Sequence, residues 1–302
     1  MATPGSSIVF VSSLMGAAWG GSEELWSRTA ANLARLGQKV YAELPNVANR
    51  PAHPRIAELR KAGVHVQWWP TPTVRGLVAG MIYDRAAIRA KLPSRDPDAW
   101  FKARLEKVRP SFVVFSSGNN DFPAGLTRHC RALNIPYALV AHAVYEYNWP
   151  GDERAAEMRE YYEHAAAKYF VSRENREATR LMTGLEGKDF EVIRSPINVS
   201  REVNPPWPAD DGVFRLAFVG RIEPGTKGCD LILRALATKA WKERPVELHF
   251  YGKGPAEKGA QRMAEMLGLK NCFFHGHVEE VAKIWRQNHL LVLPSRYEGL
   301  PL

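Results

Sequence analysis

The sequence predicts an α/β protein made of two doubly wound domains, each a parallel sheet with helices packed on it. Short apolar runs rich in Val, Leu and Phe alternate along the chain with longer segments of helical periodicity, and this alternation is typical of parallel sheets. The 302 residues suffice for two domains with separate cores. A proline-rich stretch at 203–212 has the composition of an interdomain linker. We therefore expect an amino-terminal domain over 1–198, a linker over 199–212 and a carboxyl-terminal domain over 213–302.

Composition and cysteine usage narrow the class of protein. The charged and apolar fractions, 24% and 45%, are those of an ordinary soluble globular protein. The three cysteines, Cys130, Cys229 and Cys272, match neither a zinc pattern nor a disulfide framework. We therefore expect a reducing, cytoplasmic location. The apolar run at 8–11 is too short for a signal peptide and no positive charge precedes it, so it predicts the first strand.

A glycine loop follows the first strand and leads into a helix. We expect Ser22 to be the N-cap of this helix, because acids follow it in the first turn. The predicted buried face carries Leu25, Leu33 and Leu36. Gly20 and Gly21 precede the helix, and glycines at such a turn let a ligand approach the backbone. With Glu43 closing the next strand, the pattern also imitates a dinucleotide-binding unit, but GxGxxG is absent. The absence of this motif argues against an NAD-dependent enzyme, which is the least favoured of the functions considered.

Residues 50–109 form the most basic segment of the chain. They contain thirteen Lys or Arg against five acids, which leaves a net charge of +8. Trp68, Trp69 and the apolar stretch 77–83 lie in the same segment. One interpretation is a solvated face over a core strand at 64–69, and the other is contact with an anionic membrane or an acidic, lipid-linked acceptor. We do not expect nucleic acid as a partner, because no recognised binding motif accompanies the charge.

Asp96 and Asp98 flank Pro97 and place two carboxylates close together, as some metal sites do. The pattern follows a loop-like stretch instead of an apolar strand, and an aspartate before a proline is typical of a helix N-cap. The sequence therefore predicts a loop or a helix cap here, and we expect neither a metal nor another cofactor.

Two further buried strands are predicted in the amino-terminal half, at 112–115 and 137–141. The first ends in a polar run over 116–120 and the second in His142. Ligands of α/β sheets bind at the carboxyl ends of strands, so His142 is well placed for chemistry, although a lone histidine is more often structural. The remaining elements predicted for this half are a helix at 152–167, a strand at 168–172, a helix at 173–182 and a strand at 190–194.

The carboxyl-terminal half begins with the most informative stretch, residues 216–230. An apolar strand at 216–219 is broken by Gly220, so that Arg221 follows directly at the carboxyl end of the strand. Lys227 stands along the same loop, and Asp230 marks a helix start. Two cations and a helix amino-terminus beside one strand end predict a site for a phosphate or a diphosphate.

The unit of strand, glycine turn and helix then repeats. Strands are predicted at 247–251, 272–274 and 290–293, with a helix at 256–267 that Gly268 ends. The turns after these strands contain Gly252, Gly254, Gly276, Glu298 and Gly299. The repeat predicts a second parallel sheet.

In order and spacing these residues resemble the nucleotide-sugar domain of retaining GT-B glycosyltransferases, the large sucrose-synthase-like family also known as family 4 or group 1. The motifs that carry the resemblance are Gly220-Arg221, Lys227-Gly228, Gly252-x-Gly254-Pro255, Phe274-x-Gly276 and Pro294-Ser295-x-x-Glu298-Gly299. The resemblance implies two Rossmann-like domains that face each other across a cleft. It also implies that Arg221 and Lys227 bind the donor diphosphate and that Glu298 binds hydroxyls of the transferred sugar.

The resemblance extends to further site residues. It implies that the loop of Gly276, His277 and Val278 holds the base and that His142 contacts the transferred sugar. The other residues implied to line the donor site are Gly20, Gly21, Gly220, Gly252, Gly299 and Leu300. Glu146, which follows His142 in the sequence, is the candidate for binding the acceptor.

The chain departs from the family pattern in two places. The spacing from Arg221 to Lys227 is one residue longer than usual, which a loop tolerates. The family also has a second Glu further along, whereas this sequence ends shortly after Glu298. We therefore expect a fragment of a longer enzyme with an incomplete second domain.

The resemblance implies transfer of a hexosyl group from a UDP-, GDP- or ADP-linked sugar to a hydroxyl of a sugar or lipid-linked acceptor, with retention at the anomeric carbon. The expected setting is the synthesis of cell-surface polysaccharide or glycolipid, in the cytoplasm or at the inner face of the membrane. The alternative is a non-catalytic fragment that binds the nucleotide sugar or the acceptor.

Overall fold

The computed structural model describes two compact units of the chain. The described residues are 6–15, 17–69, 96–197, 205–278 and 280–299. The first unit comprises Met1–Pro196 together with Gly299–Leu302, and the second comprises Ile197–Glu298. Each unit has its own parallel sheet and its own hydrophobic core.

The first unit is built on a seven-stranded parallel sheet. Its strands are β1 (Ser7–Ser12), β2 (Lys39–Pro45), β3 (His65–Trp69), β4 (Phe112–Ser117), β5 (Tyr137–Ala141), β6 (Ala167–Phe170) and β7 (Phe190–Val192). Their order in the sheet is β3-β2-β1-β4-β5-β6-β7, and neighbouring strands are parallel. The direction in which the chain crosses the sheet therefore reverses between β1 and β4, and such a reversal opens a crevice at the carboxyl ends of the two strands.

Helices pack on both faces of this sheet. They are α1 (Gly21–Arg35), α2 (Pro54–Lys61), α3 (Pro97–Val108), α4 (Ala124–Ala132), α5 (Asp152–His164) and α6 (Arg173–Thr183), with a short 3-10 helix at Glu146–Asn148. Successive strand residues point to opposite faces. Val9 and Val11 accordingly pack with Phe101 on one face, while Phe10 packs with Trp26 on the other. The strands are continuous apolar runs because both of their faces are buried.

Helix α1 differs from its prediction at its start and in its buried face. It begins at Gly21, Gly20 is the N-cap, and no side chain caps it, so the prediction that Ser22 is the N-cap is wrong. The buried face is centred on Trp26 and small alanines, whereas Leu36 lies past the end of the helix and is 77% exposed. The prediction from leucine spacing is wrong for Leu36, whereas Leu33 packs against this core as predicted. Small side chains contribute little to a hydrophobic periodicity, although they let a helix lie close to a sheet.

Arg50 is not part of a charged surface, contrary to the expectation for the basic segment. Its side chain is fully buried and donates hydrogen bonds of 2.8–3.3 Å to the backbone carbonyl oxygens of Leu14, Ala17, Ala18 and Pro45. Leu14, Ala17 and Ala18 lie between β1 and α1, outside the regular strand pattern, so their carbonyl groups need other donors. Arg104 is partly buried, and its guanidinium pairs with the buried Glu43. The apolar stretch 77–83 lies outside the described residues.

Other element predictions for this unit are confirmed or corrected in length. Asp96 caps α3, and its carboxylate accepts hydrogen bonds from two backbone N–H groups in the first turn, as predicted. The predicted strand at 137–141 is β5. The helix expected at 152–167 is shorter, because α5 ends at His164 and β6 already begins at Ala167.

The second unit is built on a four-stranded parallel sheet. Its strands are β8 (Phe214–Val219), β9 (Val246–Tyr251), β10 (Cys272–Gly276) and β11 (Leu290–Leu291), in the order β10-β9-β8-β11. The helices are α7 (Pro224–Lys227), α8 (Cys229–Leu236), α9 (Lys239–Lys242), α10 (Glu257–Met266) and α11 (Val281–Trp285). Leu216 and Phe218 pack with α8 and α10 in the main core, while Ala217 packs with Ile284 of α11 on the other face. The predicted α/β class with a second parallel sheet is confirmed, and the loop before Gly228 contains the helical turn α7, which was not predicted.

The cysteines Cys130, Cys229 and Cys272 are all free thiols. None of the helices in the described ranges is long enough and apolar enough to cross a membrane.

Candidate functional site

Three predicted glycines meet at the carboxyl ends of β8, β9 and β10. The N–H group of Gly252 donates to the carbonyl oxygen of Gly276 at 2.7 Å, and that of Gly220 donates to the carbonyl oxygen of Tyr251 at 3.0 Å. Gly252 has φ of +145°, and a Cβ atom on it would lie 2.0 Å from the carbonyl oxygen of Gly220. Only glycine therefore fits at position 252, and the three strand ends form one tightly packed layer of backbone, which we call the glycine layer.

Lys227 and Glu298, which the sequence separates widely, lie in direct contact. The Nζ atom of Lys227 donates to Oε1 of Glu298 at 2.6 Å, and the hydroxyl of Ser295 donates to the same oxygen at 2.7 Å. Both charged side chains remain about a quarter exposed, at 27% and 26%. A cation and a carboxylate that were assigned to different parts of a nucleotide sugar thus lie side by side and open to solvent.

The loops that carry this pair are joined along their backbones. The N–H groups of Arg296 and Tyr297 both point to the carbonyl oxygen of Thr226, at 2.8 and 3.3 Å. Gly228 has φ of +63°, and a Cβ atom there would lie 1.9 Å from the carbonyl oxygen of Pro294. The loop that follows β8 and the loop that follows β11 therefore form one continuous structure.

Arg296 locks these two loops together, a role that sequence reasoning missed. Its guanidinium binds both carboxylate oxygens of Asp230 at 2.7 and 2.9 Å and the carbonyl oxygen of Pro224 at 2.7 Å. The pKa of the Asp230 carboxyl is lowered, chiefly by its hydrogen bonds from Arg296. A planar guanidinium suits this bidentate contact in a way that an ammonium group does not. No local pattern distinguishes Arg296 from other exposed arginines, because its partners lie on a different loop.

Arg221 lies at the end of β8, as predicted, and its side chain is 51% exposed. It forms an ion pair of 2.8 Å with Glu223, whose carboxylate also accepts a hydrogen bond of 2.7 Å from Thr226. The contact holds the guanidinium near the loop while leaving half of it accessible to a ligand.

The other residues predicted to bind the donor in this part of the chain do not lie together. Val278 packs beside the small cluster of Ala217 and Ile284, and His277 is exposed. Gly299 groups with the first unit. Leu300 lies outside the described residues.

His142 follows β5 directly, at the carboxyl edge of the first unit's sheet. Its backbone N–H donates to the carbonyl oxygen of Ser117 at 3.1 Å, and its ring Nε2 lies 3.1 Å from the hydroxyl of Ser116. Burial lowers the pKa of His142 to about 4. The imidazole is therefore neutral at physiological pH and is suited to hydrogen bonding, not to acting as a cation.

Glu23, in the first turn of α1, is a buried acid that the sequence analysis did not single out. Its Oε1 accepts a hydrogen bond of 2.9 Å from the hydroxyl of Ser12, and its Oε2 is buried with no partner in the part of the chain that the structure describes. Burial raises the pKa of Glu23 to about 7, although the nearby charge of Arg50 opposes the rise. Gly20 and Gly21 lie at the start of α1, separated from Glu23 in the sequence by Ser22.

A cavity of about 460 Å³ opens beside the carboxyl ends of β1 and β4 within the first unit. Its polar lining consists of Ser13, Ser117, Asn119, Asp121, Tyr145 and Arg154. The sequence analysis noted the polar run at 116–120 without assigning it a role. Glu146, the predicted acceptor residue, is exposed at the start of the 3-10 helix and does not line this cavity.

Across the described ranges, no group of three or more His, Cys, Asp or Glu side chains is arranged to hold a metal ion.

Comparison with protein families identifies the carboxyl-terminal part of the chain. Residues 213–302 match the family described as glycosyl transferases group 1. This region is a group 1 glycosyltransferase domain. The resemblance drawn from the motifs is confirmed over these residues, and the glycine layer and the pair of Lys227 and Glu298 both belong to the glycosyltransferase domain. No curated protein sequence matches the chain.

Solved structures of similar fold cover nearly the whole chain. The lipopolysaccharide outer core galactosyltransferase WaaB shares 14% identity at a TM-score of 0.63, over 98% of this chain and 76% of its own. HepE of Anabaena, solved with UDP, shares 13% identity at a TM-score of 0.63, over 96% and 74%. A mutant of S. aureus TarM, solved with fondaparinux, alpha-GlcNAc-glycerol and UDP, shares 12% identity at a TM-score of 0.65, over 98% and 82%. These matches confirm the predicted GT-B class of two Rossmann-like domains, of which the glycosyltransferase domain is the smaller in this chain.

Proposed function

We propose that the protein transfers a hexosyl group from a nucleotide diphosphate sugar to a hydroxyl of an acceptor, with retention at the anomeric carbon. The observation that carries the proposal is the contact of Lys227 with Glu298 at 2.6 Å, within the matched glycosyltransferase domain. The diphosphate of a nucleotide sugar needs a cation, and its sugar needs a hydrogen-bond acceptor. The two parts are joined by one bond, so the groups that bind them must lie close together. The pair offers both groups at one point.

The charges of the site suit the chemistry of the leaving group. As the bond from the anomeric carbon to the diphosphate oxygen breaks, negative charge grows on the diphosphate. Lys227 and Arg221 are fixed cations that stabilise this charge, and in this proposal they supply the stabilisation without a metal. Glu298 accepts hydrogen bonds from sugar hydroxyls once the diphosphate draws Lys227 away from it.

The first unit contributes the neutral His142 and the candidate acceptor residue Glu146. Because burial keeps the pKa of His142 near 4, we assign it hydrogen bonding to the transferred sugar, not proton transfer. We assign the backbone of Gly20 and Gly21, together with the loop at Gly276, to donor binding.

The structural neighbours support the choice of donor and acceptor classes. HepE has been solved with UDP-glucose, the TarM mutant with UDP and alpha-GlcNAc-glycerol, and WaaB is a lipopolysaccharide galactosyltransferase. We therefore propose a UDP-linked hexose as the first donor to test and a cell-surface glycan or its lipid-linked precursor as the acceptor. The proposed location is the cytoplasm, at the inner face of the membrane.

The test is calorimetric titration of the chain with UDP, GDP and ADP, in parallel with the R221A/K227A double variant. We expect one nucleotide to bind and the double variant to bind it on the order of 100-fold more weakly, because two charge-assisted contacts to the diphosphate are lost. The matched control is K258A/R262A, which removes two positive charges from α10 and should leave affinity unchanged. Equal affinity in R221A/K227A and the wild type would overturn the assignment.

A second candidate is a protein that binds nucleotide sugars without turning them over. It is favoured by the position of Arg221 and Lys227 on the loop after β8, because binding a diphosphate needs only such cations. Release of nucleotide from a UDP-linked hexose, measured with and without acceptor saccharides, separates the two candidates. Binding without release would support the non-catalytic one.

A further inference from the structure

We infer that Glu223 is a positioning residue of the candidate donor site, because it holds Arg221 in place for a phosphate group and links it to the loop that carries Glu298. The inference rests on the proposed function, since it takes the ligand of Arg221 to be the diphosphate of the donor. It adds a carboxylate that the sequence analysis did not assign and that acts without touching the donor. The three residues all lie in the second unit.

The side-chain contacts of Glu223 are the first argument. Its Oε2 atom lies 2.8 Å from a terminal nitrogen of Arg221, and the same atom accepts a hydrogen bond of 2.7 Å from the hydroxyl of Thr226. The hydroxyl therefore braces the carboxylate that holds the guanidinium. A side chain held by two partners has fewer rotamers open to it, so the loop sets the position of Arg221.

The backbone of the same loop connects Glu223 with the rest of the site. Glu223 is the N-cap of α7, and its carbonyl oxygen accepts the N–H groups of Thr226 and Lys227 at 3.3 and 2.8 Å. The carbonyl oxygen of Thr226 in turn accepts two backbone N–H groups of the loop after β11, at 2.8 and 3.3 Å. Glu223 thus stands between the two cations of the site and is joined, through Thr226, to the segment that precedes Glu298.

The exposure of Arg221 explains why it needs a positioning residue. Its side chain is 51% exposed, and that of Glu223 is 30% exposed. Fixing an exposed arginine on a ligand costs conformational entropy, because the free side chain has many rotamers. A contact that already exists in the free protein removes part of that cost before the ligand binds. One terminal nitrogen makes the contact, and a guanidinium has five N–H donors, so donors remain for a phosphate.

The negative charge of Glu223 has the opposite effect, because it repels a phosphate. This repulsion is small, since water screens charges that are partly exposed. We therefore expect the positioning effect to be the larger one. The two effects are separable by substitution. Glutamine keeps an oxygen that accepts from Arg221 and Thr226 but carries no charge, whereas alanine keeps neither the oxygen nor the charge.

The experiment is calorimetric titration of the whole chain with UDP and with inorganic pyrophosphate. We expect Glu223→Ala to weaken the binding of both ligands by about five-fold, because Arg221 must then be ordered by the ligand alone. We expect Glu223→Gln to remain within about two-fold of the wild type, because its amide oxygen keeps both contacts. The matched control is Glu265→Ala, which removes a carboxylate from an exposed position of α10 and should leave both affinities unchanged.

Two results of this titration would overturn the inference. One is an affinity of Glu223→Ala that equals or exceeds that of the wild type, because the carboxylate would then only repel the ligand. The other is a loss in Glu223→Gln as large as that in Glu223→Ala, because the contact with Arg221 would then not be what matters.

A double-mutant cycle with Arg221→Ala tests whether Glu223 acts through Arg221. In the Arg221→Ala background, Glu223→Ala should cause no further loss of pyrophosphate affinity. Thr226→Val removes the hydroxyl that braces the carboxylate, so it should cause a smaller loss, which also disappears in this background. A loss from Glu223→Ala that is equal with and without Arg221 would indicate a general loosening of the turn α7 and would contradict the positioning role.

The outcome is separable from that of the proposed function. If the wild type binds UDP and pyrophosphate and Glu223→Ala binds them equally well, only the positioning role fails. If pyrophosphate binds in a way that depends on Glu223 and Arg221 but none of UDP, GDP and ADP binds, the positioning role stands and the transferase proposal fails. If the wild type binds neither pyrophosphate nor a nucleotide, both are overturned.

Discussion

At the scale of single residues, two buried titratable groups have pKa values shifted in opposite directions. Burial raises the pKa of Glu23 to about 7 and lowers that of His142 to about 4. Both shifts have the same cause, which is that removal from water disfavours the charged form. Near neutral pH the protein therefore holds a neutral histidine and a half-protonated acid in the first unit.

The Glu23→Gln variant is expected to change how stability depends on pH. In the native state Glu23 keeps its proton up to about pH 7, whereas in the unfolded chain it loses it near 4.5. Its contribution to stability is therefore complete below pH 4.5 and is lost as the pH rises to about 7. The variant cannot ionise and avoids this loss, which amounts to about 3 kcal/mol for a shift of this size.

Urea unfolding of both proteins at pH 4.5 and pH 8 measures the effect. The free energy of unfolding of Glu23→Gln relative to the wild type should be greater at pH 8 than at pH 4.5. Glu106→Gln, at an exposed position of α3, is the control and should show no such trend. A difference between Glu23→Gln and the wild type that is the same at both pH values would refute the buried-acid interpretation.

At the scale of elements, the candidate donor site depends on two loops that follow different strands. Lys227 is carried by the turn α7 after β8, and Glu298 by the loop after β11. Contacts of Arg296 with Asp230 and with the backbone of Pro224 join these loops. The geometry of the ion pair is thus set by a residue that the donor does not need to touch.

We expect Arg296→Ala to weaken nucleotide binding by about ten-fold or more. Small displacements of positioned groups, of about 1 Å, are enough to cost up to about 100-fold in activity. Arg296→Lys should recover little, because an ammonium cannot bind both oxygens of Asp230. Calorimetric titration with the preferred nucleotide gives the affinities, and Arg262→Ala on α10 serves as a control for loss of charge. Full recovery of nucleotide affinity in Arg296→Lys would show that only the positive charge at this position matters and that the contacts of Arg296 with Asp230 do not position the site.

At the scale of the whole molecule, each unit has a core of its own. The first unit buries apolar residues on both faces of its seven-stranded sheet, and the second buries the face of its sheet under α8 and α10. A unit with its own core can unfold cooperatively. A ligand that binds one native unit stabilises that unit.

Calorimetric unfolding of the whole chain should therefore show two transitions. UDP at about 100 times its Kd should add about 2.7 kcal/mol to the stability of the glycosyltransferase domain and raise the temperature of one transition only. The R221A/K227A variant should lose this response, whereas K258A/R262A should keep it. A shift of both transitions by the same amount would contradict independent unfolding of the two units.

Several features of this protein depend on short stretches of chain and follow from the residues in them. Alternating strands and helices, the Asp96 cap of α3 and the glycines that end β8, β9 and β10 were all predicted. The motif order from Gly220 to Gly299 also identified the family. Apolar periodicity, capping and the need for glycine at a strand end are local properties, so the printed residues suffice to predict them.

Which side chains are buried, and which distant residues come into contact, depends on the folded arrangement of the whole chain. Four features were not predicted. They are the burial of Arg50, the burial of Glu23, the contacts of Arg296 with Asp230 and Pro224, and the cavity lined by Asp121 and Arg154. These features depend on which strands are neighbours and on where the loops after them lie. In this fold β1 and β4, far apart in the sequence, are paired at the reversal of the sheet. Burial and ion pairing follow from that long-range arrangement, which no local pattern encodes.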